Sequence, residues 1–473
     1  MIVLAIILIL SYAILYVYIW SKVLKGDLKS ILLYSVLYFP VYTLFLAIAY
    51  SSTDSHILVK VLQYSKEILI FGAVGLLLFS KGNLLASQWQ ISRLDWMFIA
   101  FVGLAFVFLL LPLSDATKVN QAIYFKNILL IGIFYFLGRQ VRMGFEDWKP
   151  IFNVLLGLFL IIFVVSVFEK VGGRHIHSFL GYVKYNQEVR DVPPTGAFGL
   201  TWTFAAQGDK PRYASLFANP LELASAMLLG IALPLILLVS SRYKQNKMKY
   251  LFYVITALIT LFIAYSRASF VAAFMMLVFA AFLMRYYQLI KVSFGLGLLM
   301  ALYVVLFASE DLYYFILDTI TFENSSSVTH IIDWLNALNS MIANPLGIGL
   351  AMSGNAGGVE KDLIVGGENQ YLIYGVQMGF LGMFLYMGML YYGIRNSWRA
   401  FRWAGSREDG VVPFLAACVK FGLLLPLFTA NAEVYIFISW VSWWMLGSAE
   451  TSYQKLRATR KQIRLQHLKT SMG

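Results

Sequence analysis

Residues 250–283 read YLFYVITALITLFIAYSRASFVAAFMMLVFAAFL. Two apolar runs meet here with only Ser266-Arg267 between them. So short a turn leaves no aqueous loop. The pair reads as a helical hairpin in which each backbone N–H and C=O is bonded within its own helix, as lipid requires. Runs of about 20 apolar residues recur from one end of the chain to the other. Of 473 residues, 60% are hydrophobic and 13% charged, with a mean hydropathy of +0.73. A soluble domain carries about 25% charged residues. The expected fold is an all-α, polytopic transmembrane helical bundle.

Thirteen candidate spans cover 1–20, 30–50, 57–80, 96–113, 122–138, 150–168, 217–240, 249–265, 268–284, 292–308, 369–394, 412–429 and 432–449. The third is weak, because it carries Lys60, Lys66 and Glu67. The last pair also reads as one broken hairpin, which leaves twelve. Residues 1–20 lack a basic leading region and a small-residue cleavage site, so they read as the first helix and not as a signal peptide. Cys418 stands alone in an apolar run, which excludes a disulfide framework and a Cys/His zinc pattern. No internal repeat is visible.

Lys and Arg fall unevenly on the loops. One alternating set (20–29, 81–95, 139–149, 241–249, 285–291, 395–410 and the tail from 450) holds 24 of them. The other set (51–56, 114–121, 169–216, 266–267, 309–368 and 430–431) holds 9. The positive-inside rule puts the first set in the cytoplasm, the N-terminus outside and the basic tail inside. The net charge of +13 is then explained by topology and by headgroup attraction of the tail, and calls for no nucleic acid.

The expected organisation is N-terminal spans at 1–168, a loop at 169–216, and central spans at 217–308 with the Arg267 turn. A large loop at 309–368, C-terminal spans at 369–449 and a basic tail at 450–473 follow. Both loops and the Arg267 turn fall on the extracytoplasmic side. The loop at 309–368 holds Glu310, Asp311, Asp318, Glu323 and the run Ser325-Ser326-Ser327. It is too long and too aromatic for a plain connector. Chemistry is expected where it meets the membrane.

Arg267 has two open readings: snorkelling to headgroups, or an anion site whose guanidinium fork matches phosphate oxygens. Asn219-Pro220 suits the start of a helix, whose outward N–H groups would lie beside Arg212. Glu222 in that first turn reads as a helix-dipole contact or as the partner of an arginine or acceptor. Glu368 precedes the eleventh span, as a cap or as a general base. His330 opens an amphipathic pattern (Ile331, Ile332, Trp334, Leu335, Leu338, Met341) that reads as an interfacial helix. Trp334 reads as a membrane anchor ahead of a substrate platform. His175 and His177 alone are a weak metal signal. Lys60, Lys66, Lys126 and Lys420 lie in or at the ends of spans, with boundary snorkelling ahead of an ion relay. There is no Walker A motif and no Gly-x-Ser-x-Gly elbow.

In order along the chain, Arg212 to Ala224, Ser266-Arg267-Ala268, His330-x-x-x-Trp334-x-x-Ala337-Leu338, Asn344-Pro345-Leu346-Gly347-x-Gly349 and Glu368-Asn369-Gln370-Tyr371-Leu372 with Gly375 and Gly379 form a set. The set resembles the O-antigen ligase and Wzy-type polymerase superfamily of bacterial envelope glycan enzymes, over about 210–380. Two positions depart from the family's pattern. Glu368 stands where ligases carry histidine, and His330 where many members carry arginine.

The resemblance implies a GT-C-like fold and an inverting glycosyltransferase that needs no metal and no cofactor. Its donor would be an undecaprenyl-diphosphate-linked oligosaccharide, with Arg212 and Arg267 on the diphosphate and Glu368 as base. Asn219, Glu222, His330, Trp334, Asn369 and Tyr371 would line the substrate. The two departures favour a polymerase, whose acceptor is another glycan lipid, over a ligase acting on lipid A core. Membrane lipids, a flippase and a chain-length regulator would be its partners. A lipid-linked oligosaccharide transporter is the alternative from another class. It would bury charges along a midplane path.

Overall fold

A computed structural model describes residues 2–80, 91–141, 143–206, 210–240, 244–288, 325–354 and 364–470, with isolated positions between 290 and 302. Most of the expected span at 292–308 and the acids Glu310, Asp311, Asp318 and Glu323 lie outside the described residues, as do the side chains of Ser325-Ser326-Ser327.

The described chain is a helical bundle. Its first half runs α1 (Ile2–Leu24), α2 (Lys29–Tyr38), α3 (Tyr42–Thr53), α4 (His56–Ser80), α5 (Arg93–Leu110), α6 (Lys118–Gln140) and α7 (Phe145–Gly172). Two short helices follow, α8 (Ile176–Phe179) and α9 (Tyr182–Glu188), with a two-residue antiparallel pairing at Ala205–Ala206 and Lys210–Pro211. Then come α10 (Pro220–Ser240), α11 (Lys244–Ala264), α12 (Arg267–Leu283), α13 (Ser325–Ala343), α14 (Gln370–Trp403), α15 (Arg407–Thr429) and α16 (Ile436–Thr470). Among the described residues ten helical stretches are long and apolar enough to cross a membrane, and α12 is a shorter apolar helix. The expected all-α polytopic bundle is what the chain forms.

Burial sorts the helices. In the most apolar window of α15, 78% of residues are buried, against 17% in α1. α10, α15 and the first half of α16 therefore make the centre, while α1 turns Ile2, Val3, Ile14 and Val17 outward. α6 and α16 cross backbone to backbone. A Cβ on Gly138 would overlap the Trp444 carbonyl, and one on Gly447 would overlap the Tyr135 carbonyl. Small residues permit such close approach where there is no water to drive association. Beside this crossing, buried Arg139 holds Asp95 of α5 through Nε–Oδ1 at 3.0 Å and a terminal nitrogen–Oδ2 at 2.7 Å.

The expected span from 369 is corrected: it is a broken helix. On a straight helix residues 371 and 386 would stand about 22 Å apart. Yet the Tyr371 and Tyr386 ring centroids are 5.9 Å apart, and those of Tyr374 and Tyr386 are 4.7 Å apart. The segment 370–377 doubles back on 380–403. The reversal occurs at Met378 and at Gly379, whose φ is 68° and ψ −175°. The freed carbonyls of Val376 and Gln377 accept from Ile348 and Gly349 N–H at 2.9 and 3.1 Å, while Phe380 N–H donates to the Pro345 carbonyl at 3.1 Å. The 344–349 segment thus supplies the bonds that the break removes, which is the condition for breaking a helix inside a membrane protein. Gly347 and Gly379 let the two backbones touch.

The lysines inside spans are also corrected. Lys66 and Lys126 both reach Glu67, at 3.9 and 2.6 Å, and buried Lys420 lies 4.0 Å from Glu433. Lys126 and Lys420 find acids on other elements, which spacing along one helix does not reveal. Lys60 is exposed.

Candidate functional site

The loop after α7 is tied down by one carboxylate. Buried Glu169 accepts from Ile176 N–H and from Ser215 N–H, both at 2.9 Å. His177 Nε2 meets the Phe217 carbonyl at 2.7 Å, and the Tyr182 hydroxyl donates to the Ala218 carbonyl at 2.5 Å. His175 packs among Phe198, Phe204 and Tyr213. Burial pushes its imidazole down to about 4; Glu169 opposes this and His177 adds to it. The two histidines are therefore packing groups of the loop. Among the described residues no group of three or more His, Cys, Asp or Glu side chains is placed to hold a metal ion.

This anchoring delivers residues 212–219 to the head of α10. Asn219 caps that helix, its Oδ1 accepting from Glu222 N–H at 2.9 Å. Buried Glu222 sits against the backbone N–H groups of Ala218 and Phe437. Arg212 is half-buried, and its Nε is buried without a hydrogen-bond partner. Burial, and then the charge of Arg267, lower the Arg212 guanidinium from its usual value. Arg267 opens α12, after Tyr265 in a left-handed conformation (φ 50°) and the N-cap Ser266. An arginine before α10 and one at the start of α12 thus lie near enough for their charges to act on one another. Such a pair gains most from an anion with several oxygens.

Opposite stands an acid–imidazole group. His330 Nδ1 of α13 lies against a Glu368 carboxylate oxygen. Asp333 is next to both, and burial, then Glu368, raise its carboxyl. An imidazole from α13 thus stands beside the carboxylate at position 368. Trp334 is half-buried on Phe428 of α15 at 4.7 Å and beside His330 at 6.2 Å. Asn369 is a buried N-cap, accepting from Tyr371 and Leu372 N–H at 3.0 and 3.2 Å. Tyr371 points away, its hydroxyl donating to the Leu424 carbonyl at 3.0 Å.

Tyr435 feels charges from both groups. The charges of Glu222, Glu368 and Arg212 all act on it. It sits between α15 and α16, two residues after Glu433, which is held from four sides. The Glu433 carboxylate accepts from Tyr386 Oη at 2.5 Å, Trp443 Nε1 at 3.1 Å and the Ser439 hydroxyl, and its own N–H donates to Gln370 Oε1 at 3.3 Å. The charge of Arg190, after α9, acts on Glu222. Sequence reading missed Tyr435, Glu433 and Arg190. An acid inside an apolar span was the visible signal for Glu433.

Residues 252–387 match a model of the O-antigen ligase family. This stretch, less than a third of the chain, is similar to the O-antigen ligase family. It extends from α11 into α14, and so takes in Arg267, His330, Trp334, Glu368, Asn369 and Tyr371; Arg212, Asn219, Glu222 and Tyr435 come from outside it. A comparison with curated proteins gives no match. Similarity over this stretch supports glycan processing of the O-antigen ligase and polymerase type, in a chain with ten candidate membrane spans among its described residues.

Proposed function

We propose that the protein is a glycosyltransferase that polymerises polyprenyl-diphosphate-linked oligosaccharide repeats on the extracytoplasmic face of the cytoplasmic membrane. The observation that carries this reading is the Arg212–Arg267 pair, with its orphaned Nε, near Tyr435, on which the Glu368 charge also acts. The charge bias of the loops supports the outward face.

In the proposed step the donor diphosphate lies on Arg212 and Arg267. The Glu368–His330 pair takes the proton of an acceptor hydroxyl. The hydroxyl oxygen forms a bond to the anomeric carbon as the bond from that carbon to the diphosphate oxygen breaks, with inversion. The leaving diphosphate gains negative charge, which the two guanidinium groups stabilise where it develops. Asn219 and Asn369 position the helix starts. Glu222 and Tyr435 line the space between the two halves of the site. Trp334 supports His330.

The family match itself favours a second reading, a ligase that delivers the glycan to a different acceptor. A reconstituted assay with a lipid-diphosphate oligosaccharide separates them. A ladder of products supports the polymerase, and a single addition to a different acceptor supports the ligase. Lipid movement without product would replace both with a flippase.

A further inference from the structure

A cavity of about 1170 Å³ runs along α14 beside α12, α15 and α16. It is larger than the roughly 300–1,000 Å³ of sites for drug-sized ligands. Its body is apolar, with Phe279 of α12 and Phe421 and Leu424 of α15. Five arginines line it as well: Arg285 just past α12, Arg395, Arg399 and Arg402 on α14, and Arg460 on α16. They cluster near the C-terminal ends of α12 and α14, away from Arg267 and Glu368 at the helix starts.

The positive-inside rule explains the sign of these charges but not their setting. Among the described residues none of the five pairs with a carboxylate. Three lie over rings instead: Arg395 over Tyr392 at 5.6 Å, Arg402 over Phe282 at 5.8 Å and Arg460 over Trp403 at 4.6 Å. Arg402 Nε and Trp398 Nε1 are buried donors without a hydrogen-bond partner. Buried donors left unmatched are costly, and clustered like charges repel. A ligand that removes both costs carries anionic oxygens at one end, and the apolar body calls for a long hydrocarbon at the other.

We propose that this groove holds an anionic phospholipid, with its phosphate on Arg399, Arg402 and the Trp398 N–H and an acyl chain along Phe421 and Leu424. The phosphate end of the groove lies away from Arg267 and Glu368, while Tyr371 lines its other end. Binding is read without any transfer reaction, so failure of one reading leaves the other standing.

The test titrates the purified full chain, in neutral detergent, with a phosphatidylglycerol bearing a fluorescent acyl tail, and reads anisotropy. Saturable binding is expected, at least about tenfold tighter than for a phosphatidylcholine with the same chains. Glycerol 3-phosphate, which has the phosphate and no tail, is expected not to compete. Arg399→Gln with Arg402→Gln should weaken binding about tenfold or more. Arg402 also donates to the Phe282 carbonyl at 3.4 Å, so that pair of changes can disturb folding. Met387→Trp, on the exposed lip of the groove, obstructs the tail without changing charge and should weaken binding with the melting midpoint retained. Arg457→Gln, on the exposed face of α16 and not part of the groove lining, should bind like the wild type. Equal affinity for the two lipids, displacement by glycerol 3-phosphate, an equal loss in Arg457→Gln, absence of saturable binding, or wild-type affinity in both groove variants would each overturn the proposal.

Discussion

At the level of single residues, Arg212 and Arg267 set the electrostatics of the site. Each cation raises the cost of the other, and the Arg212 Nε lacks a partner, so the pair favours a bound anion. Arg212→Ala and Arg267→Ala are each expected to lower chain extension by about a hundredfold or more, with membrane-fraction protein unchanged on an immunoblot. Glu368 and His330 touch, and so should act as a unit. Glu368→Gln should lower kcat more than it raises the donor KM, and adding His330→Gln should cost little further. Full activity in Glu368→Gln would place the base elsewhere. His175 offers a readout independent of catalysis. Its folded value of about 4 lies below the ordinary histidine value of 6.5. Between those values the unfolded chain binds the proton and the folded chain does not. Stability therefore falls as pH drops from 6.5 toward 4, by at most about 3 kcal/mol. The melting midpoint should follow, and His175→Phe should flatten that dependence.

At the level of elements, the reversal at Met378–Gly379 places Glu368 and Asn369. Without it, 370–377 would continue the line of α14 and carry both residues away from Tyr435. The reversal depends on a backbone conformation essentially confined to glycine and on contact with the Pro345–Leu346 backbone. Gly379→Ala is therefore expected to destabilise the fold by about 3 kcal/mol and to reduce transfer more than tenfold. The comparison is Gly405→Ala, where an added Cβ meets nothing within 4 Å and the midpoint should hold. A Gly379→Ala protein with wild-type midpoint and activity would show that the reversal does not position the site. The 344–349 segment explains why glycines recur in that stretch: the freed carbonyls require a backbone brought into contact.

At the level of the whole molecule, what was legible is what repeats along the chain. The hairpin at 250–283, the apolar runs and the three-and-four spacing after His330 each record a local burial pattern, and each appears as a helix. The cap Asn219 was legible for the same reason, since capping is a short-range bond; before the eleventh span the sequence pointed to Glu368, and the cap is its neighbour Asn369. What was hidden involves partners far apart in the chain, such as Lys420 with Glu433 and Glu368 with His330. The break in α14 was hidden because apolar composition continues through it; a doubled-back helix and a straight one have the same hydropathy. Orientation belongs to this scale too, since it rests on the summed charge of loops set by no single contact. It can be tested in a Cys418→Ala background, which removes one buried thiol. Single cysteines at exposed Thr195, Gly405 and Lys461 report the two faces. An impermeant maleimide on intact cells should label Thr195→Cys, and should label Gly405→Cys and Lys461→Cys only after permeabilisation. The reverse pattern would put Arg212, Arg267 and Glu368 in the cytoplasm, and a glycan chain built there would have to cross the membrane after assembly. The outward reading requires only that single repeats cross, which is why the sidedness of Thr195 bears directly on the chemistry at Arg212.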